Sequence, residues 1–377
     1  MTLLFWLCIA VIFYVYLGYP ALLASGVLGR RQRIRREGCE PFVSVIVPAR
    51  NEERSIAGKL ENLLALDYPS EKLEILVGND ASTDGTAALV RGFENPAIHL
   101  IDCQTRQGKS AMQNLLVERA QGEILAFTDA DCLLPSSALR RIVENMGDPR
   151  VGLATNCAVI TNEQETAIAK NEGLYWRYEA WLRRQESDRG LLAMASGSLF
   201  AMRRNLWRPL DPSLGDDFVL PLGVARAGYR NVLETRISAR TTLGQSRPHS
   251  MLRMKMRIIS KDFRGLLKNA DCLNPFKSGR VAIALWSHKL LRWAIPYFML
   301  AAFVANLFLL RDPVYLFLFA VQILFYGLSI AGLLLESYEI HFPLSVISSL
   351  CLVNFAALLG TLHCFSRRTA GQWETVR

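Results

Sequence analysis

Four stretches of this chain are too long and too apolar for the helices of a soluble core, and they bound what it can fold into. Residues 3–28 carry no charge at all. At about 1.5 Å rise per residue such a run crosses a bilayer core of roughly 30 Å. A secretory signal peptide would need a basic start and a shorter apolar stretch. Met1 to Phe5 contains neither Lys nor Arg, so the run reads as a membrane anchor. "GRRQRIRREG" follows, with Arg30, Arg31, Arg33, Arg35 and Arg36. Such a basic flank stays cytoplasmic, which places the next domain inside the cell.

Near the other end, residues 293–310, 314–335 and 344–364 are three more apolar segments, separated by Arg311, Asp312 and Pro313 and by "ESYEIHFP". The expected organisation is an N-terminal transmembrane helix over 1–28, a basic linker over 29–40 and a soluble domain over 41–248. An amphipathic interfacial segment over 249–291, transmembrane helices over 292–365 and a tail over 366–377 complete it. One crossing before the domain and three after it put the tail outside. The tail "SRRTAGQWETVR" is nevertheless basic and carries Trp373, as an inner-face tail would, so one C-terminal segment is expected to be re-entrant or interfacial. His288, Trp293 and Tyr297 suit the interface, with His288 there rather than on a metal.

The formal net charge is +9. Nucleic acid is not needed to explain it, because the juxtamembrane arginines and "MLRMKMRIISKDFRGLLK" supply clusters that anionic membrane lipids attract. The eight cysteines include no C-x-x-C pair, which argues against a zinc site or a disulfide framework and fits a reducing compartment.

The middle of the chain alternates strand and helix patterns. "VSVIVP", "LEILVGND", "AIHLIDC" and "EILAFTDADC" read as buried strands. "NEERSIAGKLENLLAL", "STDGTAALVRGF" and "GKSAMQNLLVERA" read as helices. The alternation predicts a largely parallel α/β sheet, with ligands beyond the carboxyl ends of its strands. Those ends carry Asn51 and Glu52, Asn79 and Asp80, Asp102, and Asp129 and Asp131. Asp129 and Asp131 share a face if the strand continues, so they fit a cation site; they also fit a polar turn. No G-x-G-x-x-G follows any strand, and "CQTRQGKS" has Cys103 where a Walker motif needs its first glycine, which excludes both nucleotide motifs.

"VSVIVPARNEE", "NDASTDGT", "GKSAMQN" and "FTDADC" resemble, in order and spacing, four segments of the nucleotide-sugar half of the family-2 glycosyltransferases. "ASGSLFAMRR" resembles the acceptor-side loop of that family and "GDDFVLPLGVARAGYRNVLE" its catalytic-base segment. The resemblance covers residues 43–234, and "SHKLLRW" with the helices after it extends it to membrane-bound bacterial members. It implies a GT-A (Rossmann-like) cytoplasmic domain with transmembrane helices at both ends, in a multi-pass protein of the bacterial inner membrane. It also implies a Mg²⁺ or Mn²⁺ ion on Asp129 and Asp131, with Asp131 the more direct ligand. Oxygen ligands suit those ions, which would neutralise charge on a departing diphosphate.

By the same resemblance Glu52, Asp80, Lys109 and Asp129 contact the nucleotide. An aspartate at position 80 can accept from an imide N–H, which favours uracil. Gly197, Ser198 and Asp216 lie on the acceptor side, and Asp217 is the base of an inverting displacement. Asp216 departs from the usual glutamate of that pair.

The expected reaction is transfer of a sugar from a nucleotide donor, with UDP favoured, to a lipid-linked or growing polysaccharide acceptor. The chain lacks the Q-x-x-R-W motif of processive synthases, and its corresponding region reads "SMLRMKMRIISKDFRG", where Arg253, Lys255 or Arg257 are candidates to reach the diphosphate. A processive synthase is the alternative within the class. A transport or assembly component with an inactive sugar-nucleotide domain is the alternative outside it. The aromatics Tyr175, Trp176, Tyr178 and Trp181 fall at helical spacing and read as packing rather than a sugar-stacking platform.

Overall fold

Strand β1 (Val43–Ala49) shows how the sheet divides the interior, because alternate residues of a strand face opposite sides. The computed structural model describes residues 1–36, 38–160, 167–241, 248–334 and 344–365. The 366–377 tail with Trp373, the 336–343 break and the side chains of Tyr175 and Trp176 fall outside that description. Val43, Val45 and Val47 pack on one side with Ile56, Leu60 and Leu63 of α3 (Ile56–Leu64). Ile46 faces the other side. β2 (Leu73–Asp80) alternates in the same way, with Ile75 and Val77 against Leu76. Each such aliphatic side chain stabilises by about 1.5–3 kcal/mol when fully buried.

N-terminal to this sheet, α1 (Thr2–Phe13) runs through a π turn into α2 (Tyr19–Ser25). After β2 come α4 (Thr86–Arg91), β3 (Ile98–Cys103), α5 (Lys109–Arg119), β4 (Ile124–Phe127), α6 (Ala138–Glu144) and β5 (Val151–Ile160). Then follow α7 (Ala167–Asp188), β6 (Phe200–Arg203), α8 (Asp216–Arg226), β7 (Arg230–Thr241) and the long α9 (Pro248–Lys268). Two short helices, α10 (Pro275–Ser278) and α11 (Val281–Ala284), lead to α12 (Leu291–Leu307), α13 (Pro313–Leu334) and α14 (Leu344–Cys364).

The seven strands form one sheet in the order β3-β2-β1-β4-β6-β5-β7. β3, β2, β1 and β4 are parallel, so the carboxyl ends of β1, β2 and β4 share one edge. β6 runs antiparallel to β4 and β5. Its first residue, Phe200, pairs with Phe127, the last residue of β4. The residues just before β6 therefore emerge at the edge where "TDADC" leaves β4. A wholly parallel sheet would have put them at the opposite end.

Four helices among the described residues are long and apolar enough to cross a membrane: Thr2–Ser25, Val281–Leu307, Pro313–Leu334 and Val346–Cys364. Apolar helices thus flank the α/β domain at both ends. Val281–Leu307 contains His288, Lys289 and Arg292, which hydropathy alone would exclude from a span. The partners of His288 and Arg292 come from α7. His288 Nδ1 lies 2.8 Å from Glu186 Oε1 and its Nε2 3.1 Å from Glu179 Oε1. Arg292 reaches Glu179 Oε2 at 2.9 Å, and the Tyr19 hydroxyl donates to Glu186 at 2.8 Å. Both ring nitrogens of His288 are thus committed to carboxylates rather than to a metal. Glu179 and Glu186 are seven positions apart on α7, which places them on one helical face. Burial pushes the Glu179 carboxyl up, and the neighbouring His288, Arg292 and Lys289 reverse this and hold it well below its ordinary range.

Truncating Glu179 would remove the carboxylate that Arg292 reaches and leave His288 with that of Glu186. Glu179→Ala is expected to cost about 3–5 kcal/mol, the usual effect of breaking a buried pair from one side. Thermal unfolding of the detergent-solubilised chain checks this, and a midpoint equal to the parent's would show that the network contributes nothing to stability.

Candidate active site

Lys109, at the start of α5, stands between carboxylates from two parts of the fold. Its Nζ lies 2.8 Å from Asp129 Oδ1, in the loop after β4, and 3.5 Å from Asp216 Oδ2, at the start of α8. Burial disfavours its charge, but Asp129 and Asp216 outweigh this and raise its proton affinity far above the ordinary value. The ammonium is therefore permanent at physiological pH. Gln113, one turn further along α5, donates to Asp216 Oδ2 at 2.6 Å.

The loop before β6 closes the group. A Cβ built on Gly197 would stand 3.0 Å from Asp129 Oδ2, so a larger residue there would press on that carboxylate. Ser198 accepts from Thr128 Oγ1 through its carbonyl at 2.8 Å and gives its hydroxyl to Asn156 at 3.0 Å. Ala195 N–H donates to the Asp217 carbonyl at 2.7 Å. Asp129, Lys109, Gly197, Ser198, Asp216 and Asp217 thus belong to one connected cluster.

Glu52 and Asp80 stand at the neighbouring strand ends. The Glu52 amide donates to Thr86 Oγ1 at 2.8 Å, and its carboxylate accepts from Ser55 Oγ at 2.5 Å. Asp80 is fully buried, and its two oxygens accept from the N–H groups of Gln107 at 2.5 Å and Gly108 at 3.0 Å. Its role in this structure is to fix the turn that delivers Lys109. Asp102 is engaged by Asn79 and Arg91. Asn51 and Ala81, which follow β1 and β2, have positive φ of 53° and 50°. Backbone strain of this kind, unusual for alanine above all, collects at sites that bind ligands.

Two adjacent carboxyls, Asp216 and Asp217, are driven apart. Burial would raise both. Lys109 and the Gln113 amide reverse this for Asp216 and hold it below the ordinary carboxylate value. For Asp217 burial and then the charge of Asp216 dominate, and it is pushed up to about 6. Asp131 is also raised, by burial first and by Asp129 next, and makes no ion pair among the described residues.

Among the described residues no cluster of three or more His, Cys, Asp or Glu forms a ready-made metal cage. A Mg²⁺-type ion does not need one, because it uses one or two carboxylates and takes its remaining ligands from substrate phosphates and water. Asp129 and Asp131 fit that requirement.

Two functional residues escape sequence reasoning. Lys59 of α3 is fully buried. Its Nζ donates to Thr128 Oγ1 at 2.8 Å and to the Cys132 carbonyl at 2.5 Å, holding both ends of the loop that carries Asp129 and Asp131. A lysine in a helix reads as solvated. The missed signal is that positions 56, 59, 60 and 63 fall on one helical face. The other is Asp262 of α9, only 5% exposed. Next to it, Lys261 of α9 feels the charges of Arg257, Lys109, Asp216 and Asp217.

Comparison with known proteins agrees with this arrangement. Residues 44–209 match the family model for "Glycosyl transferase family 2". A beta-monoglucosyldiacylglycerol synthase of Nostoc sp. is 31% identical over 48% of this chain and 40% of that protein. A poly-beta-1,6-N-acetyl-D-glucosamine synthase of Staphylococcus aureus is 32% identical over 32% of this chain and 29% of that protein. The chain therefore spans less than half the length of these relatives. A mannosyltransferase of Pyrobaculum calidifontis, solved in complex with GDP-Man and Mn²⁺, superposes with a TM-score of 0.74. The match covers 96% of this chain and 100% of that one at 23% identity, so it speaks for a shared fold. Residues 44–209 thus resemble glycosyltransferase family 2, and the chain has a GT-A-like fold.

Burial holds Lys59 at about 8 against 10.5 when exposed. The unfolded chain then binds the extra proton between those values, so stability rises with pH across that window. Lys59→Met lacks this titration. The unfolding midpoint of the parent minus that of the variant is expected to climb between pH 8 and 10.5. A difference that stays flat with pH would refute the buried-cation reading.

Proposed function

We propose that this chain is an inverting, metal-dependent glycosyltransferase. It moves a sugar from a nucleotide donor to a lipid-linked or growing polysaccharide acceptor. The observation that carries the reading is the convergence of Asp129, Lys109, Asp216 and Asp217 at the carboxyl edge of the sheet, in a domain flanked by membrane-length helices. The arginines at 30–36 support a cytoplasmic location for that domain, and the proposed site of action is the inner face of a bacterial membrane.

In this reading Asp129 and Asp131 hold Mg²⁺ or Mn²⁺, which when bound supplies positive charge to the diphosphate leaving group. Lys109 adds a fixed cation beside the same position. Asp216 holds Lys109 and orients the acceptor with the Gly197–Ser198 loop. Asp217, at the mouth of α8, takes the proton of the attacking hydroxyl. A single displacement with one base inverts the anomeric centre. UDP sugars come first among donors, from the imide-accepting chemistry of a carboxylate at position 80. A uracil reaching Asp80 must displace the Gln107 and Gly108 N–H groups or use a second lone pair of an oxygen, so a nucleotide panel decides whether Asp80 reads the base.

The full chain in nanodiscs with a bacterial lipid extract is offered UDP-glucose, UDP-N-acetylglucosamine and GDP-mannose, and released nucleoside diphosphate is measured. Release that stops in excess chelator and in Asp131→Ala is expected; no release from any donor, or full turnover with chelator, would sink the reading. Asp217→Asn is expected to slow transfer by about 10²–10⁴-fold, the usual contribution of a general base. The parent rate should fall as pH drops through about 6, where Asp217 gains its proton. If Asp217→Asn turns over like the parent while Asp216→Asn is inactive, the two roles are reversed.

A further inference from the structure

Asp262 of α9 meets Asp217 of α8 at Gly215, the residue that opens α8. A Cβ built on Gly215 would stand 3.0 Å from Asp217 Oδ1 and 3.6 Å from Asp262 Oδ1, so both carboxyls face the same small space. α9 reaches it by lying close on α8: a Cβ on Gly265, one turn after Asp262, would come within 3.2 Å of Phe218 and Val219. Asp262 is buried, and among the described residues neither the Asp217 nor the Asp262 side chain accepts a hydrogen bond or forms an ion pair. Asp216 differs, because it has Lys109 and Gln113. The remaining charges around the two carboxyls are Asp129 after β4, Lys109 on α5, Lys261 on α9 and Lys289 before α12.

A buried carboxyl and a half-buried one that face each other without donors cannot both ionise at a modest cost. We infer that Asp262, the more buried of the two, is a positioning residue for the base: it keeps the one proton of the carboxyl pair, so that Asp217 stands ionised beside it and ready for the acceptor's proton. The inference rests on the reading of Asp217 as base. In the transfer step the acceptor oxygen bonds to the anomeric carbon. The bond from that carbon to the diphosphate oxygen breaks with its electron pair going to the diphosphate, and the acceptor's proton passes to Asp217. Asp262 keeps its own proton throughout. Burial first and the Asp217 charge next push Asp262 up to about 8, above its partner at about 6, which is the order this division requires.

The test is an infrared titration of the full chain in nanodiscs, with no ligand added. It follows the carbonyl band of protonated carboxyl groups in the parent, Asp262→Asn and Asp217→Asn. A component present at pH 7 and lost as pH passes about 8 is expected in the parent and absent from Asp262→Asn. In Asp217→Asn the neighbouring charge is gone, so the same component should vanish at lower pH. This second variant reads the pair even if Asp262→Asn fails to fold. A neutral-pH band identical in parent and Asp262→Asn, or a transition that Asp217→Asn does not move, overturns the proposal alone. Nucleoside diphosphate release by Asp217→Asn at the parent rate overturns the assignment of the base, and the proposal falls with it.

Discussion

The ammonium of Lys109 is the contact on which the site depends. It joins Asp129, in the loop after β4, to Asp216, which opens α8. Without a cation there, the partly exposed Asp129 and the buried Asp216 would repel each other. Each neighbour serves the placement of that cation. Asp80 ties down the turn before α5, Gln113 takes a further lone pair of Asp216, and Gly197 leaves room for the loop that covers Asp129. The cost of desolvating Lys109 is offset because two carboxylates reach it rather than one.

The same device recurs at the membrane end. α7 leaves the sheet and sends Glu179 and Glu186 to His288 and Arg292 of an apolar helix, and Tyr19 of the N-terminal helix joins them. An aliphatic contact would seat the domain on the bundle with little directional preference. A buried ionic network is satisfied only in one orientation, which fixes the carboxyl edge of the sheet relative to the apolar helices. α9 extends the connection, because its Ile259 meets Gly360 of α14 and its next residues carry Lys261 and Asp262 toward the carboxylates.

The sheet was legible because β1, β2 and β4 are wholly buried runs with polar residues at their ends, a pattern that burial on both faces imposes. The antiparallel insertion of β6 was not legible, since "LFAMRR" has the same apolar character whichever way it runs. The site residues at strand ends stand out by charge. Lys59 and Asp262 do not, because a charge on a helix is ordinarily solvated and only the fold shows which ones turn inward. Charges at His288 and Arg292 obscured the first half of the Val281–Leu307 helix for a related reason: their partners lie more than a hundred positions away.

The two adjacent carboxyls at the start of α8 show how environment assigns chemistry where sequence cannot. Asp216 and Asp217 are the same residue type in the same helical turn, and the helix N-terminus favours ionisation of both. Their difference arises from what the next layer offers. α5 presents Lys109 and Gln113 to Asp216, which therefore stays a carboxylate and is spent on holding a cation. α9 presents Asp262 to Asp217, which adds no donor and a second acid. A carboxylate bound to a lysine is a poor base, because taking a proton would break that pair. One without a paired cation, with its affinity raised toward neutrality, is a good one. The helix that brings Asp262 is also the helix that packs on α14, so the proton affinity of Asp217 and the seating of the domain on the apolar helices are set by the same element.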